Sequence, residues 1–119
     1  MTAIIGGGGK STLLRALADA LAPHARVLVA TSTKMYVPDW CPVVRDASLA
    51  AVERAFAESP VVCAGLLCDL PGKLAAPGLA WEALAGAADY VLVEADGSRH
   101  LPLKAHAAHE PVVPACASR

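Results

Sequence analysis

Gly6-Gly7-Gly8-Gly9-Lys10-Ser11-Thr12 decides how this chain is read. It follows the apolar run Ala3-Ile4-Ile5 and opens a helical pattern that begins around Leu13. Strand, glycine turn, Lys-Ser and helix, in that order, build a phosphate cradle. Glycines accept positive φ and let the backbone approach an anion closely. Successive N–H groups and the positive end of the helix then face the phosphate. Lys10 is placed to reach outer phosphates, the Ser11 hydroxyl to ligate Mg²⁺, and Gly6, Gly7, Gly8, Gly9 and Thr12 to line the cradle. The full pattern G-x-x-x-x-G-K-[ST] requires glycine at position 4, where this chain has Ile4, so the loop is a shortened form.

Working outward, Ser11 to Leu21 reads as the first helix. Leu13, Leu14, Leu17, Ala18 and Leu21 recur near a 3.6-residue period, and Arg15 and Asp19 fall on the wet face. Arg26-Val27-Leu28-Val29-Ala30 is a second, nearly all-apolar strand. Val37 to Asp46, with Pro38 and Pro42, reads as a loop, and Ser48 to Glu58 as a second helix. Pro60 to Gly65 is a third buried strand, Leu66 to Pro77 a turn-rich connection, and Leu79 to Ala87 a third helix. Tyr90-Val91-Leu92-Val93 is the fourth strand. Beyond Arg99 periodicity ends, and residues 99–119 read mostly as loop. The expected fold is α/β: one domain over residues 1–119, β-α-β-α-β-α-β, with a parallel sheet, right-handed crossovers and flanking helices.

In such sheets ligands bind beyond the carboxyl ends of the strands, and three of these ends are polar here. The fourth strand empties into Glu94-Ala95-Asp96-Gly97-Ser98. Glu94 is the first candidate to hold Mg²⁺ and Asp96 the second, because this cation takes carboxylate, often through water. Asp96-Gly97 reads equally as a turn. The second strand runs into Thr31-Ser32-Thr33-Lys34. Thr31 and Thr33 either sense a terminal phosphate or complete the metal shell, or are ordinary strand-end threonines. Lys34 either neutralises phosphate charge or is a solvated lysine. Arg99 and Lys104 are placed to dock an anionic second substrate. His106 and His109, with Glu110 following, fit substrate contact or an ordinary surface better than a zinc site, since no third ligand is spaced for it.

Composition narrows the classes. With 10 basic and 11 acidic residues there is no excess charge to grip a nucleic-acid backbone. No apolar run reaches membrane-span length, and no signal peptide is evident, so a cytoplasmic location is expected. Cys41, Cys63, Cys68 and Cys116 form no C-x-x-C pair and read as idle or buried thiols.

Gly6 to Thr12, Thr31 to Tyr36, Val93 to Arg99 and the run Leu101-Pro102-Leu103-Lys104-Ala105 through His109-Glu110-Pro111-Val112-Val113-Pro114 together resemble the YqeC family. Its members are accessory proteins for selenium-dependent molybdenum hydroxylases. The resemblance spans nearly the whole chain, and its last motif is the most specific. Departures are Gly7-Gly8 within the loop, Ser32 for a threonine and His106 for a proline. The resemblance implies a P-loop NTPase-like fold, Lys10 and Ser11 as nucleotide and Mg²⁺ residues, and Glu94 and Asp96 as the acidic pair. Family members are longer, which implies a truncated domain. A hydrophobic content of 55% agrees with apolar faces left uncovered and with self-association into a homo-oligomer.

The function expected is a Mg²⁺-dependent protein that binds and hydrolyses ATP or GTP. Lys10, Glu94 and Asp96 would be its catalytic groups. It would assist cofactor maturation of a selenium- and molybdenum-containing hydroxylase, with that hydroxylase or its maturation proteins as partners. The alternatives are a nucleotide-gated cofactor chaperone without turnover and an ATP-dependent ligase of the Mur type.

Overall fold

Val27-Leu28-Val29-Ala30-Thr31 is buried at every position, and a strand without a wet face belongs inside a sheet covered on both sides. The computed structural model, which describes residues 1–96 and 113–118, places it there. The elements run β1 (Thr2–Ile4), α1 (Lys10–Leu21), β2 (Val27–Thr31), β3 (Lys34–Tyr36), β4 (Val43–Val44), α2 (Leu49–Glu58), β5 (Val61–Ala64), β6 (Leu66–Leu67), β7 (Lys73–Ala75), α3 (Trp81–Ala87) and β8 (Tyr90–Glu94). Among the described residues, five strands form a parallel sheet ordered β1-β8-β2-β5-β4. The expected α/β class is therefore present.

Strand alternation distributes the core to two faces. Val27, Val29, Cys63 and Leu92 pack with Leu14 and Ala18 of α1. Leu28, Val62, Val91 and Val93 pack with Val52 of α2 and Leu84 of α3. Burial explains the thiol chemistry: it pushes Cys41 up to about 11 and Cys63 further still. Neither is a ready nucleophile at neutral pH. The wet faces also follow the pattern, with Arg15 and Asp19 3.8 Å apart on α1. Leu13, half exposed, lies off the buried stripe that the spacing assigned to it. α2 starts at a serine cap, the Ser48 hydroxyl accepting from the Ala51 N–H at 3.2 Å. A serine there holds an orphan amide that alanine would leave without a side-chain partner, a difference of about 1 kcal/mol.

Three segments outside the expected strands contain strands. Val43–Val44 extends the parallel sheet beside β5. Lys34–Tyr36, Leu66–Leu67 and Lys73–Ala75 form a second, antiparallel sheet ordered β3-β7-β6. Strands of two or three residues are too short to show a period. They form here because Met35 and Leu74 bury against the α1 side of the core. Gly65 lets the chain turn into this sheet: a Cβ there would stand 3.0 Å from the Ala75 carbonyl oxygen and from Leu74 Cβ.

The order of the large sheet is what positions the site. The last described strand lies between the first two, pairing Ile4 with Glu94 on one side and Thr31 with Glu94 on the other. The ends of β1, β8 and β2 are therefore neighbours. Among the described residues no helix is long and apolar enough to cross a membrane. If α3 is held by Leu84, which has no exposed surface, Leu84→Ala should lower unfolding free energy by about 2–5 kcal/mol in urea titrations. Leu67→Ala, at a side chain 66% exposed on the small sheet, should change it by less than about 0.5 kcal/mol.

Candidate functional site

The glycine loop turns on two residues with left-handed backbone, Gly6 at φ 131° and Gly9 at φ 72°. A Cβ on either would meet nothing within 4 Å. Glycine is needed there for backbone freedom, and the space over the loop is open. Gly9 caps α1 without a side-chain hydrogen bond, and no acidic residue lies in the first turn of the helix. The positive end of α1 is thus left facing the loop with no carboxylate of its own.

Lys10 is the first residue of α1 and is almost fully buried. Its ammonium lies 3.0 Å from Asp96 Oδ1 and donates to the Gly6 carbonyl at 2.8 Å. Asp96 is itself fully buried, and its other oxygen accepts from the Gly6 N–H at 3.1 Å. Two residues earlier on the chain, Glu94 accepts from the Ser11 hydroxyl at 3.2 Å. Both acids emerge on the face that α1 covers because positions 92, 94 and 96 share one side of an extended chain. The residues singled out at opposite ends of the sequence therefore meet as two cross-connected pairs, Lys10 with Asp96 and Ser11 with Glu94.

The electrostatics of the pairs differ. Burial pushes the Glu94 carboxyl above the ordinary glutamate value. The Lys10 charge and the Ser11 hydrogen bond oppose that shift, Asp96 reinforces it, and Lys73 opposes it in turn. Among the described residues no group of three or more His, Cys, Asp or Glu is gathered to hold a metal ion. The donor set at the loop is one hydroxyl and one carboxylate. It suits a hard cation that keeps most of its waters and brings phosphate ligands with it.

The residues of the threonine segment divide between the two sheets. Thr31 is buried, its hydroxyl donates to the Glu94 carbonyl at 2.8 Å, and it accepts from the Thr33 N–H at 3.1 Å. It fastens β2 to β8 just behind the acid. Thr33 stands 3.4 Å from Thr31, oxygen to oxygen, at the rim. Lys34 turns to the small sheet, where its ammonium donates to Asp69 at 2.7 Å. That bond raises the lysine's pKa and lowers the aspartate's. Arg99, Lys104, His106, His109 and Glu110 lie outside the described residues.

One feature was not legible beforehand. A cleft of about 290 Å³ opens beside Ser11, between α1 and residues 35–40. The proline-containing stretch that forms its far wall carries Tyr36 and Trp40, and aromatic residues in a loop were the available signal. A wider depression of about 460 Å³ lies at the other end of the sheet, bordered by Arg26, Pro60 and Asp89. These residues precede β2, β5 and β8, so that depression is remote from the paired acids.

Fold and site together define a parallel α/β protein with a glycine loop, a helix start and an acidic strand end joined at the carboxyl edge of its sheet. Residues 2–119 match the family model described as YqeC protein, and the chain belongs to the YqeC family. It is 39% identical over 120 aligned residues to a protein of Escherichia coli (strain K12) named "Uncharacterized protein YqeC". The alignment covers 93% of this chain and 46% of that relative, so the chain spans about half the relative's length. No solved structure matches it.

Because Glu94 gains protons on folding, the sign of its linkage is set. The stability it contributes is whole below the ordinary glutamate pKa of 4.5 and is lost as pH rises through the higher folded value. Glu94→Gln keeps an acceptor for Ser11 and removes the buried charge. In urea unfolding, the variant should gain stability relative to the parent as pH is raised from about 4 to about 8. A difference between the two that is constant with pH would contradict the burial of an ionising group there.

Proposed function

We propose that this chain is the nucleotide-binding part of a Mg²⁺-dependent NTPase with a P-loop-like cradle formed by residues 6–12. The observation that carries the reading is the cross-connection of Lys10 and Ser11, at the start of α1, to Asp96 and Glu94, at the end of β8. A basic residue and a hydroxyl at an uncapped helix start, facing two carboxylates, make the arrangement that a polyphosphate and its cation require.

The roles follow from the contacts. An ammonium has three N–H donors. One is donated to the Gly6 carbonyl while the ammonium stands 3.0 Å from Asp96 as an ion pair, and another would meet a phosphate oxygen lying in the loop. Asp96 holds both Lys10 and the Gly6 amide, so its part is to set the shape of the cradle. Ser11 and Glu94 would hold Mg²⁺, the hydroxyl directly and the carboxylate directly or through water. The cation supplies charge neutralisation along the phosphates. Glu94, with its raised pKa, is also suited to accept a proton from an attacking water.

Hydrolysis would serve maturation of the cofactor of a molybdenum hydroxylase, the role that family membership suggests, with that enzyme or its assembly proteins as partners. The test begins with Lys10→Ala. Removing one member of a buried ion pair strands the other, so the variant should lose about 3–5 kcal/mol of stability. The double variant Lys10→Met/Asp96→Asn removes both charges together and should fold. Calorimetry with Mg-ATP and Mg-GTP should then show affinity lowered about 10- to 100-fold or more against the parent chain. Unchanged affinity in the folded double variant would end this reading.

A further inference from the structure

Beyond Ser11, the cleft beside α1 is lined by residues that the proposed phosphate and cation site does not use. It starts at Ser11, in the first turn of α1, and is walled by Met35, Tyr36, Pro38, Asp39 and Trp40. Next to it, the Arg15 guanidinium stands 5.9 Å from the centre of the Trp40 ring, one of the cleft's walls. Arg15 is four residues, about 6 Å, beyond Ser11 along α1, so Trp40 neighbours a side chain rooted one turn past the cradle.

Its chemistry is that of a planar, uncharged ring attached to an anion. Two aromatic side chains and a proline supply apolar and stacking surface. Each aromatic ring also has a cation over it, Arg15 at Trp40 and Lys73 at Tyr36, the latter 4.6 Å from the ring centre. Positive charge therefore borders the path of an anionic ligand. Among these walls Asp39 is the one carboxylate, and an ionised carboxylate only accepts hydrogen bonds. A guanine presents two adjacent donors, N1–H and the 2-amino group, to such a pair of oxygens. Adenine offers the 6-amino donor beside the N1 lone pair, which a carboxylate repels.

We propose that this cleft is the nucleobase pocket of the site and that Asp39 selects guanine over adenine there. The inference rests on the triphosphate reading given above, and the probes separate the two. Calorimetry would use Mg-tripolyphosphate and the non-hydrolysable β,γ-imido analogues of GTP, ATP and XTP on the full chain. The GTP analogue should bind about tenfold or more tighter than the ATP analogue, the size of one good bidentate contact. It should also quench the fluorescence of Trp40 in a Trp81→Phe background, whereas tripolyphosphate should not. Asp39→Asn, at an exposed position, should lose the preference for guanine. It should gain affinity for the XTP analogue, because the asparagine amide donates to the xanthine O2 while its carbonyl accepts from N1–H.

Tripolyphosphate binding accompanied by equal affinity for all three nucleotides would overturn the base pocket alone. So would a guanine preference that Asp39→Asn leaves unchanged. Failure of tripolyphosphate and of every nucleotide to bind would overturn the cradle itself and this inference with it.

Discussion

The buried contact between Lys10 and Asp96 is the constraint from which the carboxyl edge of the sheet takes its form. Two opposite charges with almost no solvent exposure must stay together, since either alone in that environment would be far more costly than the pair. Lys10 opens the first helix and Asp96 follows the last described strand. The pair therefore ties the beginning of the chain to a segment almost ninety residues away. The same carboxylate accepts from the Gly6 amide, and the same ammonium donates to the Gly6 carbonyl. The glycine loop is consequently moulded around an ion pair as well as by its own backbone freedom.

The placement of β8 makes that contact geometrically available. A strand inserted between β1 and β2 brings its acidic end beside the glycine loop on one side and beside Thr31 on the other. Thr31 then serves as a fastening, its hydroxyl bonded to the Glu94 carbonyl. Glu94 and Asp96 are two residues apart and share a face, yet their surroundings separate their chemistry. Asp96 lies opposite a cation at 3.0 Å, whereas Glu94 has a neutral hydroxyl as its hydrogen-bonding partner and feels burial first. Neighbouring carboxylates with different charge partners are suited to different tasks, one to shaping a loop and one to exchanging a proton or holding a cation.

The small antiparallel sheet has a bearing on the site through what it carries. Met35 and Leu74 anchor it to the α1 side of the core. That anchorage holds Tyr36 and the following loop against the helix and creates the cleft next to Ser11. Lys34, on the same strand as Met35, is drawn to Asp69 and away from the acids. Its neighbours in sequence, Thr31 and Thr33, remain at the edge of the large sheet. A polar segment that looked uniform thus divides between two sheets and two roles.

Much of this was legible in the residues themselves. The all-apolar runs at residues 27–30 and 61–64 announced buried parallel strands, and the stripe of Leu14 and Ala18 announced a helix against them. Gly6 and Gly9 announced a loop with left-handed backbone, and the period of two after Leu92 put Glu94 and Asp96 on one face. Those properties are local and are written in neighbouring residues. Only the tertiary structure decided that β8 lies between β1 and β2, that Asp96 takes Lys10 while Glu94 takes Ser11, and that three short strands form a second sheet beside a cleft. Those outcomes depend on side-chain packing between distant segments, and no periodicity within a segment records which partner it will meet.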